Sequence, residues 1–213
     1  SPRITISHGG VQYSYNYDPD GTYKANNYTA LTDATDKWSD TTNSDPMQDI
    51  MDAIDKVEAA TGTRPEIAIM SKTTMGYLKK NAKIRSAVLA QNTTANILMT
   101  DARVREIFST ELGINIVVYS KQYKDESGTA AAFYPDNYVT LVPRGALGST
   151  WFGVTPEERT LMGSGEGDVR IVGTGIAVAV TVTNDPVNTK TTVSEIVLPS
   201  YERMAETYVL KVA

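Results

Sequence analysis

Residues 38–71 read WSDTTNSDPMQDIMDAIDKVEAATGTRPEIAIMS, and this stretch decides how the chain folds. Asp45 is placed to cap a helix, because its carboxylate can accept the unpaired N–H groups of a first turn. Pro46 follows at a position where a helix has no use for an N–H. Met47, Ile50, Met51, Ile54 and Val57 then recur at helical spacing and predict one apolar stripe. Asp49, Asp52, Asp55, Lys56 and Glu58 decorate the other faces. Gly62 can take the left-handed position that ends the helix, and Pro65 forbids its continuation. Ile67–Met70 then reads as a short apolar strand, with Ser71 as the next cap. No residue in the stretch is catalytic by type; its content is architectural.

Outward from this unit, the same alternation continues. A short helix over 71–81 carries Met75, Tyr77 and Leu78, interrupted at Asn81; a second over 82–91 turns Ile84, Val88 and Leu89 inward. Asn92-Thr93-Thr94 is a polar linker. Thr100 caps a helix over 101–112, whose stripe is Val104, Ile107, Phe108 and Leu112, with Gly113 as its stop. Ile114–Tyr119, INIVVY, is rich in β-branched residues, and its unbroken apolarity predicts a strand buried on both faces. Lys124–Gly128 makes a charged hairpin tip, Pro135-Asp136-Asn137 a turn, and Tyr138–Val142 a further strand stopped by Pro143. Residues 45–143 therefore predict helices packed on a mixed sheet.

The ends of the chain read differently. Ile4 and Ile6, a Gly9-Gly10 turn, and Val11, Tyr13, Tyr15 and Tyr17 predict an N-terminal hairpin with one apolar face. Asp18-Pro19-Asp20-Gly21 starts like a calcium loop, but Thr29 stands where a bidentate Glu is required, so a turn is expected. Residues 22–44 are polar and read as a long loop. Beyond Pro143, GSGEGD (Gly163–Asp168) is a flexible loop; it lacks a Walker Lys-Ser/Thr, and strand rather than helix follows it. Ile176–Val182, Val193–Leu198 and Tyr208–Val212 predict strands, with turns at Asp185-Pro186 and Pro199-Ser200. The N-terminal hairpin and these strands can share one sheet, giving a body in two parts.

Composition removes most enzyme chemistries. The 213 residues include no Cys and one His, His8, in a turn-like Ser-His-Gly-Gly context. Thiolate catalysis, Cys-ligated zinc, a His-based metal cluster and disulfides are excluded, and any His-dependent triad would have to use His8. The net charge of −5 argues against a general nucleic-acid binder. No apolar run is long enough to cross a bilayer. The carboxylate pairs Asp33/Asp36, Asp49/Asp52 and Glu157/Glu158 read as solvated surface rather than acid–base machinery. Ser164 lacks the strand-to-helix elbow of a nucleophile. Arg103, Arg105, Lys79, Lys80 and Lys83 could form a basic strip, read as a solvated face or an intersubunit salt-bridge surface. No catalytic, cofactor-binding or metal residue is assigned.

Several motifs in this order resemble the lambda-like major capsid proteins of tailed phages, the major capsid protein E family. They are Trp38-Ser39 before Asp45-Pro46 and Asp49-Ile50; Arg64-Pro65 leading into Ile67–Met70, then Tyr77, Asn81 and Lys83-Ile84-Arg85; Val117–Ser120 with Gln122-Tyr123; Phe133–Asn137, FYPDN, with Tyr138-Val139; Asp185-Pro186; and Leu198-Pro199-Ser200. The resemblance covers roughly residues 4–213. It implies an α+β chain of the Hong Kong 97-type capsid fold, with an axial and a peripheral domain. Residues 1–32 would be peripheral, 33–160 axial, and 161–213 a β-rich return to the peripheral domain. The family's N-terminal arm, extended loop and spine helix have no counterpart before Ile4, and the sequence starts at Ser1-Pro2-Arg3 without an initiator Met, so a truncated or processed form is expected. An apolar peripheral surface would then lie where the helix packs, each exposed Val or Ile forfeiting about 1.5–3 kcal/mol. The implied function is structural, not enzymatic and without cofactors. The chain would self-associate into hexamers and pentamers of a virion shell, after expression in the bacterial cytoplasm. It would enclose DNA without reading its sequence, away from any membrane, with portal, scaffold or decoration proteins as further partners. The Lys121–Gly128 tip would face the capsomer axis. An alternative reading is a metal-independent carbohydrate-binding or hydrolytic domain using the Tyr13/Tyr15/Tyr17 face.

Overall fold

Strands from widely separated parts of the sequence meet in one sheet. The computed structural model describes residues 2–8, 11–90, 98–124, 127–160, 168–173 and 175–213. It falls into two units, residues 1–145 with 203–213, and residues 146–202. In chain order the first unit holds β1 (Arg3–His8), β2 (Val11–Asn16), α1 (Thr22–Asn26), β3 (Tyr28–Ala30), α2 (Pro46–Thr61) and β4 (Ile67–Met70). It continues with α3 (Lys72–Lys80), α4 (Ala82–Ala90), α5 (Asp101–Leu112), β5 (Asn115–Val118), β6 (Gln122–Lys124), β7 (Ala130–Ala132) and β8 (Tyr138–Val142). The second unit holds β9 (Thr150–Phe152), α6 (Pro156–Thr160), β10 (Asp168–Gly173), β11 (Ile176–Asn184), β12 (Val187–Glu195) and β13 (Val197–Pro199). The chain then rejoins the first unit through a 3-10 turn at Met204–Glu206 and β14 (Tyr208–Lys211). The turn at Gly9-Gly10, the linker at Asn92-Thr93-Thr94, tip residues 125–126 and residues 163–167, with Ser164, lie outside the described residues.

The helices start and stop where their caps dictate. Asp45 accepts the N–H of Gln48, Ser71 that of Thr74 and Thr100 that of Arg103; Gly62 and Gly113 take left-handed conformations at the ends of α2 and α5. The stripe of α5 is buried as expected, at Val104, Ile107, Phe108 and Leu112. On α2 the buried set is Ile50, Ala53, Ile54 and Val57, while Met51 is exposed. Ala53 therefore replaces Met51 in the predicted stripe, because the sheet lies on the Ala53 side of the helix and a small residue permits close approach. On α4, Ile84 and Val88 are buried and Leu89 is exposed.

The main sheet has the order β3-β14-β8-β4-β5. β3 runs parallel to β14 and β5 parallel to β4, while β8 is antiparallel to both β14 and β4. The crossover from β4 to β5 carries α3, α4 and α5, as a parallel connection requires. Ala68, Met70, Ile116, Val139, Leu141, Tyr208 and Leu210 are buried in one cluster with residues of α2 to α5. Ile67, Ile69, Thr140 and Val209 alternate with them and are half-buried. INIVVY is corrected here: β5 is an edge strand with Ile116 buried and Val117 exposed, so it is apolar on both faces but covered on one. Two further expectations change. The polar segment 22–44 contains α1 and β3, with β3 forming the other sheet edge. The last strand joins this sheet rather than the N-terminal hairpin, whose β1 and β2 pair only with each other among the described residues. Local polarity hid β3, since its strand character comes from pairing with β14.

Two buried polar junctions fix the helix layer. Trp38 is fully buried and is the largest such side chain among the described residues. Its indole N–H donates to Asp49 Oδ2 at 2.8 Å, and its backbone N–H donates to the carbonyl of Val212 at 2.8 Å. Asn81, also fully buried, donates from Nδ2 to the carbonyl and hydroxyl of Ser44, each at 3.1 Å, and accepts the N–H of Ile84 at 3.1 Å. It thus caps α4 while holding the loop before α2. The FYPDN segment makes a third junction. Asn137 adopts φ 65°, accepts from the Tyr77 hydroxyl at 3.2 Å, and receives the Val212 N–H on its carbonyl at 2.8 Å. The Tyr134 hydroxyl donates to the Ile69 carbonyl at 3.0 Å, and burial pushes its pKa up to about 12.

The second unit comprises the antiparallel sheet β10-β11-β12 and the pair β9-β13, with α6 packed on β10 and β11. Ala177 and Ala179 of β11 are buried. Gly148 is required: an added Cβ would come within 2.4 Å of the Ser200 carbonyl. The second unit ends at 202/203 because the chain then returns as β14 to complete the first unit's sheet.

Replacing Asn81 by Ala leaves Ile84 N–H without its cap and the Ser44 groups without their donor. The expected loss is about 1–3 kcal/mol, read as a lower midpoint in chemical denaturation. Ile54→Ala, at a fully buried position, is expected to cost about 2–5 kcal/mol in the same measurement.

Candidate interaction surfaces

The polar cleft nearest to a site lies where α2 meets β14 and β3. It is lined by Thr29, Leu31, Asp49, Asp52, Ala53, Lys56, Tyr208 and Leu210 and has a volume of about 60 Å³. Thr29 Oγ1 and the Tyr208 hydroxyl share a hydrogen bond at 2.7 Å, and Lys56 Nζ donates to the same hydroxyl at 3.4 Å. The Lys56 ammonium lies 5.8 Å from the centre of the Tyr208 ring. Small-molecule sites usually enclose roughly 300–1,000 Å³, so this cleft admits waters rather than a substrate.

Asp49 is the unusual group here. The sequence places it on a solvated helix face, but the fold half-buries it against Trp38. Burial raises its carboxyl pKa; the Trp38 N–H opposes that, and the neighbouring carboxylates Asp45, Asp36 and Asp52 add to it. Its partner Asp52 is exposed and accepts the Gln48 amide at 2.6 Å. The pair has two environments, as acid–base carboxylates need, but Asp49 is committed to the Trp38 indole and Lys56 to the Tyr208 hydroxyl beside it.

The other candidates have structural partners. Asp33 accepts the N–H and hydroxyl of Thr35, which hold its pKa below the ordinary carboxylate value. Glu157 accepts the Ser194 hydroxyl, with the same effect, while Glu158 N–H is capped by Thr155. Asp18, in the failed calcium loop, is buried and accepts the N–H groups of Tyr23 and Lys24 at 2.9 and 3.1 Å. Among the described residues, no group of three or more His, Asp or Glu is arranged to hold a metal ion. Nor is any helix long and apolar enough to cross a membrane.

The larger features are surfaces. In the β1–β2 hairpin, Ile4 pairs with Tyr15 and Ile6 with Tyr13, so these four share one face, while Arg3, Thr5, Ser14 and Asn16 share the other. Ile6 is 58% exposed, Tyr13 71% and Tyr15 51%. Tyr15 and Tyr17 meet edge to face at 4.9 Å, so these two rings do not form one flat stacking surface. A second exposed aromatic pair, Tyr123 and Phe133, joins β6 to the residue after β7, with ring centres 4.8 Å apart. In the second unit Trp151, Val154, Val187 and Val193 are exposed.

The family model described as phage major capsid protein E matches residues 5–212, and the chain belongs to that family. Among solved structures, the fold is similar to that of an E. coli CFT073 prophage protein described as a capsid protein, with TM-score 0.65 and 17% identity over 99% of this chain. It is also similar to a phage-related protein from Bordetella bronchiseptica RB50, with TM-score 0.54 and 16% identity over 89% of this chain. The present chain spans 59% and 57% of those two proteins, less than two thirds of either. No curated protein matches it.

The raised pKa of Asp49 fixes the sign of a pH effect. A carboxyl that binds its proton more tightly when folded costs stability once ionised, and that cost is relieved as pH falls from neutrality through its raised value. Asp49→Asn keeps an acceptor for the indole without a charge. Its melting temperature is therefore expected to match or exceed the wild type at neutral pH, with the difference shrinking toward the ordinary carboxylate range. Asp49→Ala leaves the Trp38 N–H unpaired and is expected to be less stable than the wild type by about 1–3 kcal/mol.

Proposed function

We propose that this chain is the shell-forming part of a tailed-phage or prophage head protein, built on the Hong Kong 97-type capsid fold. The family match over residues 5–212 carries the reading. The five-stranded-sheet unit is the candidate axial domain, and residues 146–202 with the β1–β2 hairpin are the candidate peripheral parts. An arm and a spine helix belong to the same proposal. Function here is geometric. Copies bury complementary surfaces into hexamers and pentamers, and the shell encloses DNA without base readout. An acidic subunit suits a container that does not trap its polyanionic contents. Portal, scaffold and decoration proteins are the further partners proposed, with the virion as destination after synthesis in the bacterial cytoplasm.

The hairpin supports self-association. An isolated two-stranded ribbon is marginal in water, and this one exposes its apolar face. Burial against a neighbour would supply what the chain's own core does not. A structural role also accounts for side chains such as Asp18, Asp33 and Glu157, whose carboxylates are engaged in local hydrogen bonds.

Sedimentation and negative-stain imaging test the reading. The chain is expected to associate with rising concentration and to give rings; a monomer at every concentration would refute it. Tyr13→Ala is expected to weaken association by about 1–2 kcal/mol while leaving the melting temperature of the main unit unchanged.

A further inference from the structure

Charge is segregated within the first unit. Residues 31–61, the loop before α2 and α2 itself, carry eight carboxylates against two lysines. Residues 72–90, which are α3 and α4, carry five cations and no carboxylate. The groups meet where Lys83 pairs with Asp45 and Asn81 binds Ser44, but the bodies of the helices pack on different elements. α2 packs on β14, next to the edge strand β3. α3 and α4 pack on α5, which packs on β5 at the other edge.

Part of this charge is used internally. Lys83 pairs with Asp45 at 2.9 Å and Lys79 with Asp101 at 2.8 Å. On the acidic side Asp36, Asp52 and Asp55 are exposed, and on the basic side Lys80 and Arg85 are exposed. None of these five enters a salt bridge among the described residues. α5 itself is of mixed sign and supplies no bias.

We infer that the acidic α2 side of one copy docks against the basic α3–α4 side of the next. The occupant of each face is thus a second copy of this chain. Two different, complementary patches on one molecule make a heterologous contact, which closes into a ring when its rotation allows. Opposite potentials on the two faces fix the register and direction of that ring, and like-charge juxtaposition disfavours the reversed pairing. The inference rests on the self-association reading above and adds which surfaces meet.

Two charge-reversed forms of the full chain test it: Lys80→Glu with Arg85→Glu, and Asp52→Lys with Asp55→Lys. All four positions are exposed, so both forms should melt like the wild type. Each alone is expected to self-associate about tenfold more weakly or worse in sedimentation. Mixed in equal amounts they should associate again, because every contact in an alternating ring then pairs opposite charges. Wild-type association should also weaken toward about 1 M salt, where the Debye length is roughly 3 Å. If the wild type associates but neither variant changes that, or if mixing restores nothing, the charged faces are not the contact. If the Lys80/Arg85 form instead loses only retention of double-stranded DNA, the basic face serves nucleic acid and the inference falls. A wild type that stays monomeric under all conditions overturns the self-association reading as well.

Discussion

The indole of Trp38 is too large to leave in water and too polar at one atom to bury without an acceptor. Asp49 supplies that acceptor at 2.8 Å, and the Val212 carbonyl receives the backbone N–H of the same residue. One residue, through its side chain and its backbone N–H, therefore joins the loop before α2, α2 itself and the residues after β14. The rotation of α2 about its axis has visible consequences. It turns Asp49 inward, puts Ala53 against the sheet and leaves Met51 exposed. The cost is a half-buried carboxylate whose pKa is raised by its own burial. The Asn81 and Asn137 junctions repeat the pattern, each tying a loop to a helix through a side chain with few alternative partners.

Local chemistry was legible in the sequence and long-range pairing was not. Asp45, Ser71, Thr100, Gly62 and Gly113 announce their helix ends because capping depends on a few neighbouring atoms. The α5 stripe is legible for the same reason. β3 carries the composition of a polar loop, and its three residues become a strand only by pairing with β14. INIVVY looked doubly buried because composition does not tell a central strand from an edge. Met51 and Ala53 were exchanged because periodicity gives the width of a stripe but not which flank the sheet will take.

The surfaces divide in the same way. The absence of Cys and the solitary His are plain in the composition. The runs of acidic and basic residues are equally plain along the chain. Only the fold packs α2 on β14 and α3–α4 on α5, and only the hairpin register puts Ile4, Ile6, Tyr13 and Tyr15 on one face. A fold shared at 17% identity fits such an arrangement. A core asks for volume and pattern, which many sequences can meet, while the identity of exposed residues is left to each protein's contacts.

β14 lies inside the main sheet, between β3 and β8. The Tyr23 hydroxyl bonds Thr207 across 184 residues of chain. On the ribosome, β3, β4, β5 and β8 all emerge before the strand that joins β3 to the rest, and residues 146–202 must be made in between. The half-built sheet therefore waits with the β8 edge unpaired, and that open edge is a template for a wrong strand. Synthesis of residue 211 is the earliest moment at which the sheet can close. Closing this sheet therefore waits on a strand far along the chain, with a large loop to close, and the open β8 edge is most vulnerable until then.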